Sequence, residues 1–194
     1  KLCEGLKGSA MTSLSLANNS LCGINPWGEG TYTAEGITKL CEALKGSTVT
    51  SLNLDDNRLC GVGRSGNGTY TTEGITKLCE GLKGSAVTSL SLWSNAIGHK
   101  GASALAAILK ETQITNLNLA YNQLCGLDDD GNGTYTAEGI NKLCEALKGS
   151  AVTSLNLANN RLCGLDDEGN GPFTAEGITK LCEGLKGSAV TSLN

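Results

Sequence analysis

Residues 49–59 read VTSLNLDDNRL, a stretch that holds one strand and the turn leaving it. Leu52 and Leu54 alternate with polar residues, the period-two pattern of a short half-buried strand. Asn57 and Leu59 follow at once. An inward Asn at such a place can bond backbone groups that no strand ladder reaches. The same frame opens again at Met11, Val87, Ile114, Val152 and Val190, with spacings of 38, 38, 27, 38 and 38 residues. Asn19, Asn95, Asn122 and Asn160 take the place of Asn57. Self-similarity at such a period is the mark of stacked structural repeats.

A helix follows in each unit. Thr33, Thr71, Thr136 and Thr174 stand where an N-cap is expected, and Glu35, Glu73, Glu138 and Glu176 fall in the first turn. In the first unit Ile37, Leu40, Cys41 and Leu44 make one apolar face, and Gly46 is the stop signal, matched by Gly84, Gly149 and Gly187. The short unit replaces the face with Ala102, Leu105, Ala106 and Leu109. The frame predicts strands starting near residues 13, 51, 89, 116 and 154 and helices near 34–45, 72–83, 101–111, 137–148 and 175–186. One strand and one helix cannot bury their apolar faces alone, so the units must stack. The expected fold is α/β: a right-handed curved solenoid, with a parallel sheet on the concave face and helices on the convex face. The expected organisation is one array over 1–194, with units 11–48, 49–86, 87–113, 114–151 and 152–189 and partial units 1–10 and 190–194. Neither end carries a distinct polar cap, so a longer array is expected.

The run SLSLWSNAIGHKGASALAAILK, within residues 87–113, resembles the roughly 28-residue class of leucine-rich repeats found in ribonuclease inhibitor and NOD-like receptors. LCEALK at 40–45 and 143–148 is similar to that subclass. The resemblance covers the whole chain. It implies the same curved architecture and the binding of a protein partner, without a catalytic site.

Four units depart from that pattern by an extra 11 residues between the Asn and the helix. In the fourth unit the enlarged loop, CGLDDDGNGTYT, runs from Cys125 to Thr136. Tyr32, Tyr70, Tyr135 and Phe173 recur inside the loops, where an aromatic ring can pin each loop against its neighbour. Residues 128–138 also resemble an EF-hand loop, with Asp128, Asp130, Asn132 and Gly133 at positions 1, 3, 5 and 6. The closing acid, Glu138, falls one place early, and Gly139 stands at position 12. The second unit has Gly63 and Ser65 where the acids would be, while the fifth has Asp166 and Glu168. Tight calcium binding is therefore not expected.

Nine cysteines occupy two slots per long unit beside core leucines, with no C-x-x-C pair and a single His, His99. They read as buried reduced thiols serving as small apolar side chains, which points to the cytoplasm; disulfide stapling in a secreted array is the alternative. A net charge of −4, with Lys and Arg evenly spread, argues against nucleic acid and membrane surfaces as partners. No nucleophile–base pair, phosphate-cradling loop or metal-ligand spacing occurs, so no cofactor, small-molecule substrate or enzymatic role is expected.

The strand positions flanking the inward leucines face outward from the concave side. They are bland in the first and fifth units: Ser13, Ser15, Ala17 and Asn18, then Ser154, Asn156, Ala158 and Asn159. The middle units present Asp55, Asp56, Trp93, Asn118 and Tyr121. Strands ~4.8 Å apart should bring Asp55, Trp93 and Tyr121 into one patch. An aromatic pair beside carboxylates has the composition of a binding hot spot. The missing loop of the third unit should leave the patch accessible. Alternatively, Trp93 merely fills the hollow that the short unit leaves. Near-identical repeats also fit an architectural subunit of a larger assembly, and the acidic loops fit a calcium-dependent adhesive array.

Overall fold

The structure is a computed structural model and describes residues 2–6, 8–63, 66–128, 131–166 and 168–194. Among these, helices and strands alternate: α1 (Leu2–Leu6), β1 (Ser13–Ser15), α2 (Glu35–Leu44), β2 (Ser51–Asn53), α3 (Glu73–Leu82), β3 (Ser89–Ser91), α4 (Gly98–Leu109), β4 (Asn116–Asn118), α5 (Glu138–Leu147), β5 (Ser154–Asn156), α6 (Glu176–Leu185) and β6 (Ser192–Leu193). The strands form one parallel sheet in chain order. Its register stacks Leu14, Leu52, Leu90, Leu117, Leu155 and Leu193 in one column. Leu52, Leu54, Leu90, Leu92, Leu117 and Leu119 bury their side chains against the apolar faces of the helices. Cys22, Cys41, Cys60, Cys79, Cys125 and Cys144 join this layer. Burial pushes the thiols of Cys22, Cys41 and Cys144 up to about 11, and those of Cys79 and Cys125 up to about 12. At neutral pH they are therefore protonated and pack as small apolar groups. Cys163 is half-buried and Cys182 exposed.

Beyond each three-residue strand the chain must turn, and there the ladder ends. The repeated Asn takes over. Asn57 Oδ1 accepts the backbone N–H groups of Asn19 (3.1 Å) and Leu21 (3.3 Å) in the preceding unit. Its Nδ2 donates to Leu16 O (2.8 Å) in that unit and to Leu54 O (3.0 Å) in its own. Asn95, Asn122 and Asn160 repeat the pattern, each fully or almost fully buried. Each such side chain therefore links two units through backbone groups that would otherwise be orphaned.

The helix starts differ from expectation in two ways. Thr33, Thr71, Thr136 and Thr174 stand one residue before the cap positions Ala34, Thr72, Ala137 and Ala175. Each threonine hydroxyl still accepts the N–H two residues on, at 3.2 Å. The helix of the short unit begins at Gly98, not near 101. With no inserted loop, the chain passes from the buried Ile97 directly into α4.

The loop tyrosines couple the units a second time. Tyr32 donates to Leu59 O (3.0 Å) and accepts from the Gly74 N–H (2.8 Å) at the start of α3. Tyr70 does the same to Ile97 O (2.6 Å) and the Gly101 N–H (3.2 Å), and Tyr135 to Leu162 O (3.0 Å) and the Gly177 N–H (3.1 Å). Gly74 admits this close approach: a Cβ there would lie 2.3 Å from Leu59 O and 2.8 Å from the Tyr32 hydroxyl. Phe173, in the corresponding slot, has no hydroxyl and is exposed. Tyr70→Phe removes both bonds while keeping the ring, so it is expected to lower unfolding free energy by about 1–2 kcal/mol. Denaturant titration with an unchanged slope checks this, and a loss below about 0.5 kcal/mol contradicts the coupling role.

Candidate functional site

The concave face is built of small polar side chains because each strand contributes outward Ser or Asn around one inward Leu. Asn53, Asn118 and Asn156 bend back on their own strands. Their Oδ1 atoms accept the N–H groups of Asp55 (2.8 Å), Ala120 (3.1 Å) and Ala158 (3.0 Å). In the middle of this bland sheet the short unit places Trp93 beside Tyr121. The two rings meet edge to face, with centroids 5.5 Å apart and planes at 64°. Trp93 is half-buried, and Tyr121 is 42% exposed. Asp55 Oδ1 accepts from the Trp93 N–H (2.8 Å) and from the Ser91 hydroxyl (2.5 Å). Asn118 Nδ2 donates to the same Ser91 hydroxyl at 3.0 Å. Asp55, Trp93, Asn118 and Tyr121 thus share one neighbourhood, joined through Ser91.

Asp56 does not present itself as sequence reasoning assumed. It is 5% exposed, and its carboxylate pairs with Arg58 at 3.0 Å. Arg58 is 2% exposed and also donates to the Asp56 carbonyl and to Asn18 Oδ1 (3.4 Å). Ser94 Oγ adds a bond to Asp56 Oδ1 at 3.4 Å. The alternation of faces fails past the strand, because the chain there turns left-handed: Asp56 has φ +56 and Arg58 φ +51. Asp56 is therefore a brace beneath the patch and not a contact on it. Arg58 and Ser91 went unnoticed in sequence; only a polar residue beside the buried Asn slot hinted at the first.

The same left-handed slot is filled by Asn18, Asp56, Ser94, Tyr121 and Asn159. Asn and Asp tolerate this region; a bulky ring does so at a cost of order 1 kcal/mol. Tyr121, at φ +56, is the residue least suited to its backbone.

Around the patch, the loops do not stand apart as a gap. A Cβ on Gly66 would lie 3.4 Å from Asp128 Oδ2, so the loops of the second and fourth units approach each other across the short one. The expectation of open access from that side is corrected accordingly. A small cleft survives, where Ser94, Tyr121 and Gln123 face Val62 and Gly63.

The acidic loops fold onto themselves. Asp128 accepts the Asn132 N–H at 2.8 Å and its amide at 3.2 Å; Asp166 accepts the N–H groups of Glu168 (2.9 Å) and Asn170 (2.7 Å). The backbone bond from Asn170 holds the Asp166 carboxyl below its ordinary value. Gly139, at the closing position of the EF-hand-like run, is buried with a would-be Cβ 2.7 Å from His99 Cα. Asp130 and Ser65 lie outside the described residues. Among the described residues no three His, Cys, Asp or Glu side chains converge as a metal set. On the convex face, exposed pairs such as Lys77–Glu80 (3.1 Å) and Lys142–Glu145 (3.5 Å) cover the helices with mixed charge.

The stacked sheet, the buried Asn column and the helical outer layer define a leucine-rich-repeat solenoid. A solved leucine-rich repeat-containing protein, LegL7 from Legionella pneumophila, is similar to this chain with a TM-score of 0.58 at 22% identity. The match covers 99% of this chain and 50% of that one, so this chain spans half the length of that protein. No family model and no curated protein matches the sequence. No helix among the described residues is long and apolar enough to cross a membrane.

Asp56→Ala leaves Arg58 charged and buried without its carboxylate, and is expected to destabilise the fold by about 3 kcal/mol. The double change Asp56→Ala with Arg58→Ala should recover part of that loss in the same unfolding titration. A single variant as stable as the parent contradicts the bracing role.

Proposed function

We propose that the chain is a non-catalytic protein–protein interaction module whose repeats are of the ribonuclease-inhibitor-like class. Its partner docks on the concave face over Trp93, Tyr121, Asp55 and Asn118. The observation that carries this reading is the aromatic pair, Tyr121 exposed and Trp93 half-buried, in an otherwise Ser- and Asn-covered sheet. Rigid aromatic side chains at the centre of a polar surface are the usual anchors of an interface. The backbone of Tyr121 adds weight: a ring held in a left-handed slot suited to Asn or Asp is strain retained for a purpose. A full strand and helix in every unit supports the repeat class. Buried thiols packed as apolar side chains support a cytoplasmic setting.

The test is capture of a partner by a photo-crosslinker placed at residue 93, with residue 173 on the loop ridge as comparator. The affinity of the captured protein is then measured against Trp93→Ala and Tyr121→Asn. Tyr121→Asn should leave stability within about 1 kcal/mol, because relieved backbone strain offsets the lost ring contact. Each substitution should weaken binding about tenfold or more. Affinity unchanged within a factor of about two, small beside tenfold per 1.4 kcal/mol, would move the partner to the loop ridge.

A further inference from the structure

We propose that the Trp93–Tyr121 patch receives a cationic side chain, an Arg or Lys carried on a protein partner; this rests on the concave face being the docking surface. Charge complementarity is the first ground. No Lys, Arg or His occurs in residues 12–19, 50–57, 88–95, 115–122 or 153–160, which form the strands and the turns leaving them. The carboxylates in those stretches are Asp55 and Asp56. Asp56 is neutralised from below by Arg58, so Asp55 sets the charge of the face. Two of the inserted loops are acidic in sequence, while that of the second unit carries Arg64 and no carboxylate. Residues 125–135 hold Asp128, Asp129 and Asp130, and residues 163–173 hold Asp166, Asp167 and Glu168, with no basic residue in either.

Geometry is the second ground. An edge-to-face contact covers one face of one ring, leaving other ring surface for a cation to lie against. Among the described residues the side-chain hydrogen bonds of Asp55 fall on Oδ1, which leaves Oδ2 to meet that cation beside the rings. The Trp93 N–H and the Ser91 hydroxyl fix the carboxylate in place, so little order is lost when the cation arrives. Ser and Asn side chains around the patch offer neutral hydrogen bonds to the flanking peptide and no competing charge. A planar guanidinium, which both stacks on rings and pairs with a carboxylate, fits this site better than a compact ammonium.

The test uses the folded chain carrying Trp27→Phe, so that Trp93 supplies the only indole signal. Three peptides are titrated while the Trp93 indole N–H is followed by NMR: acetyl-Gly-Ser-Arg-Ser-Gly-amide, the same peptide with uncharged citrulline for Arg, and the same with Glu. The Arg peptide is expected to give a saturable shift, about threefold to tenfold tighter than the citrulline peptide, with the Glu peptide silent. Asp55→Asn, which keeps an Oδ1 for Ser91 and Trp93, should erase most of the preference for Arg over citrulline. Equal binding of the Arg and citrulline peptides would overturn the cation proposal while leaving the concave face as the docking surface. If no peptide moves Trp93 and the loop-ridge signals shift instead, both the proposal and that surface fall.

Discussion

A buried asparagine side chain placed just past each strand is the constraint on which the rest of this structure depends. Parallel strands of three residues supply few ladder bonds, and the chain must leave the sheet before it can reach its helix. The backbone amides of that exit are buried. A stacked column of Asn side chains satisfies them, and Asn57, Asn95, Asn122 and Asn160 each reach into the unit before. Because these four side chains each span two units, the repeat cannot shift register without breaking several buried bonds together. Leucine packing supplies most of the apolar burial, but it is the Asn column that fixes which leucine faces which.

With that register set, the inserted loops have a fixed place to go. Their tyrosines reach a carbonyl in the exit of the next unit and an N–H at the start of its helix, so the loops become a second line of coupling. The third unit has no loop of its own, and its neighbours lean together over it. On the concave side this is where Trp93 and Tyr121 meet. The buried Asp56–Arg58 pair lies beneath them and joins the exits of the first three units. The patch is therefore placed by the same turns that hold the solenoid together, and its rigidity has a structural source.

Strands, helices and the Asn column were legible in the sequence, because each rests on a local period or an unavoidable backbone demand. The nearness of Trp93 to Tyr121 was legible from strand spacing, although Tyr121 stands in the slot of Ser94, one residue on from that of Trp93. Asp56 misled, since the in–out alternation ends with the strand and left-handed residues rotate the following side chains. Arg58 was hidden because nothing local says that a long polar side chain will fold inward to a carboxylate two residues away. The approach of Gly66 to Asp128 depends on how two loops lean in space, and sequence spacing carries no trace of that. The start of α4 at Gly98 was missed because the helix frame was carried over from units whose loops set its beginning.

Chemical denaturation of Asn95→Ala, compared with Asn19→Ala, tests the central claim most directly. Asn95 accepts from the N–H groups of Asn57 and Leu59 and donates to Leu54 O, Leu92 O and Trp93 O, all at 2.9–3.3 Å. Asn19 is exposed, and its side chain donates to Ala17 O at 2.9 Å. Loss of Asn95 strands several buried backbone groups at roughly 1–3 kcal/mol each, so a drop of about 3 kcal/mol or more is expected. Asn19→Ala should cost under about 1 kcal/mol. Equal and small losses at the two positions would mean that the Asn column follows the fold and does not hold it.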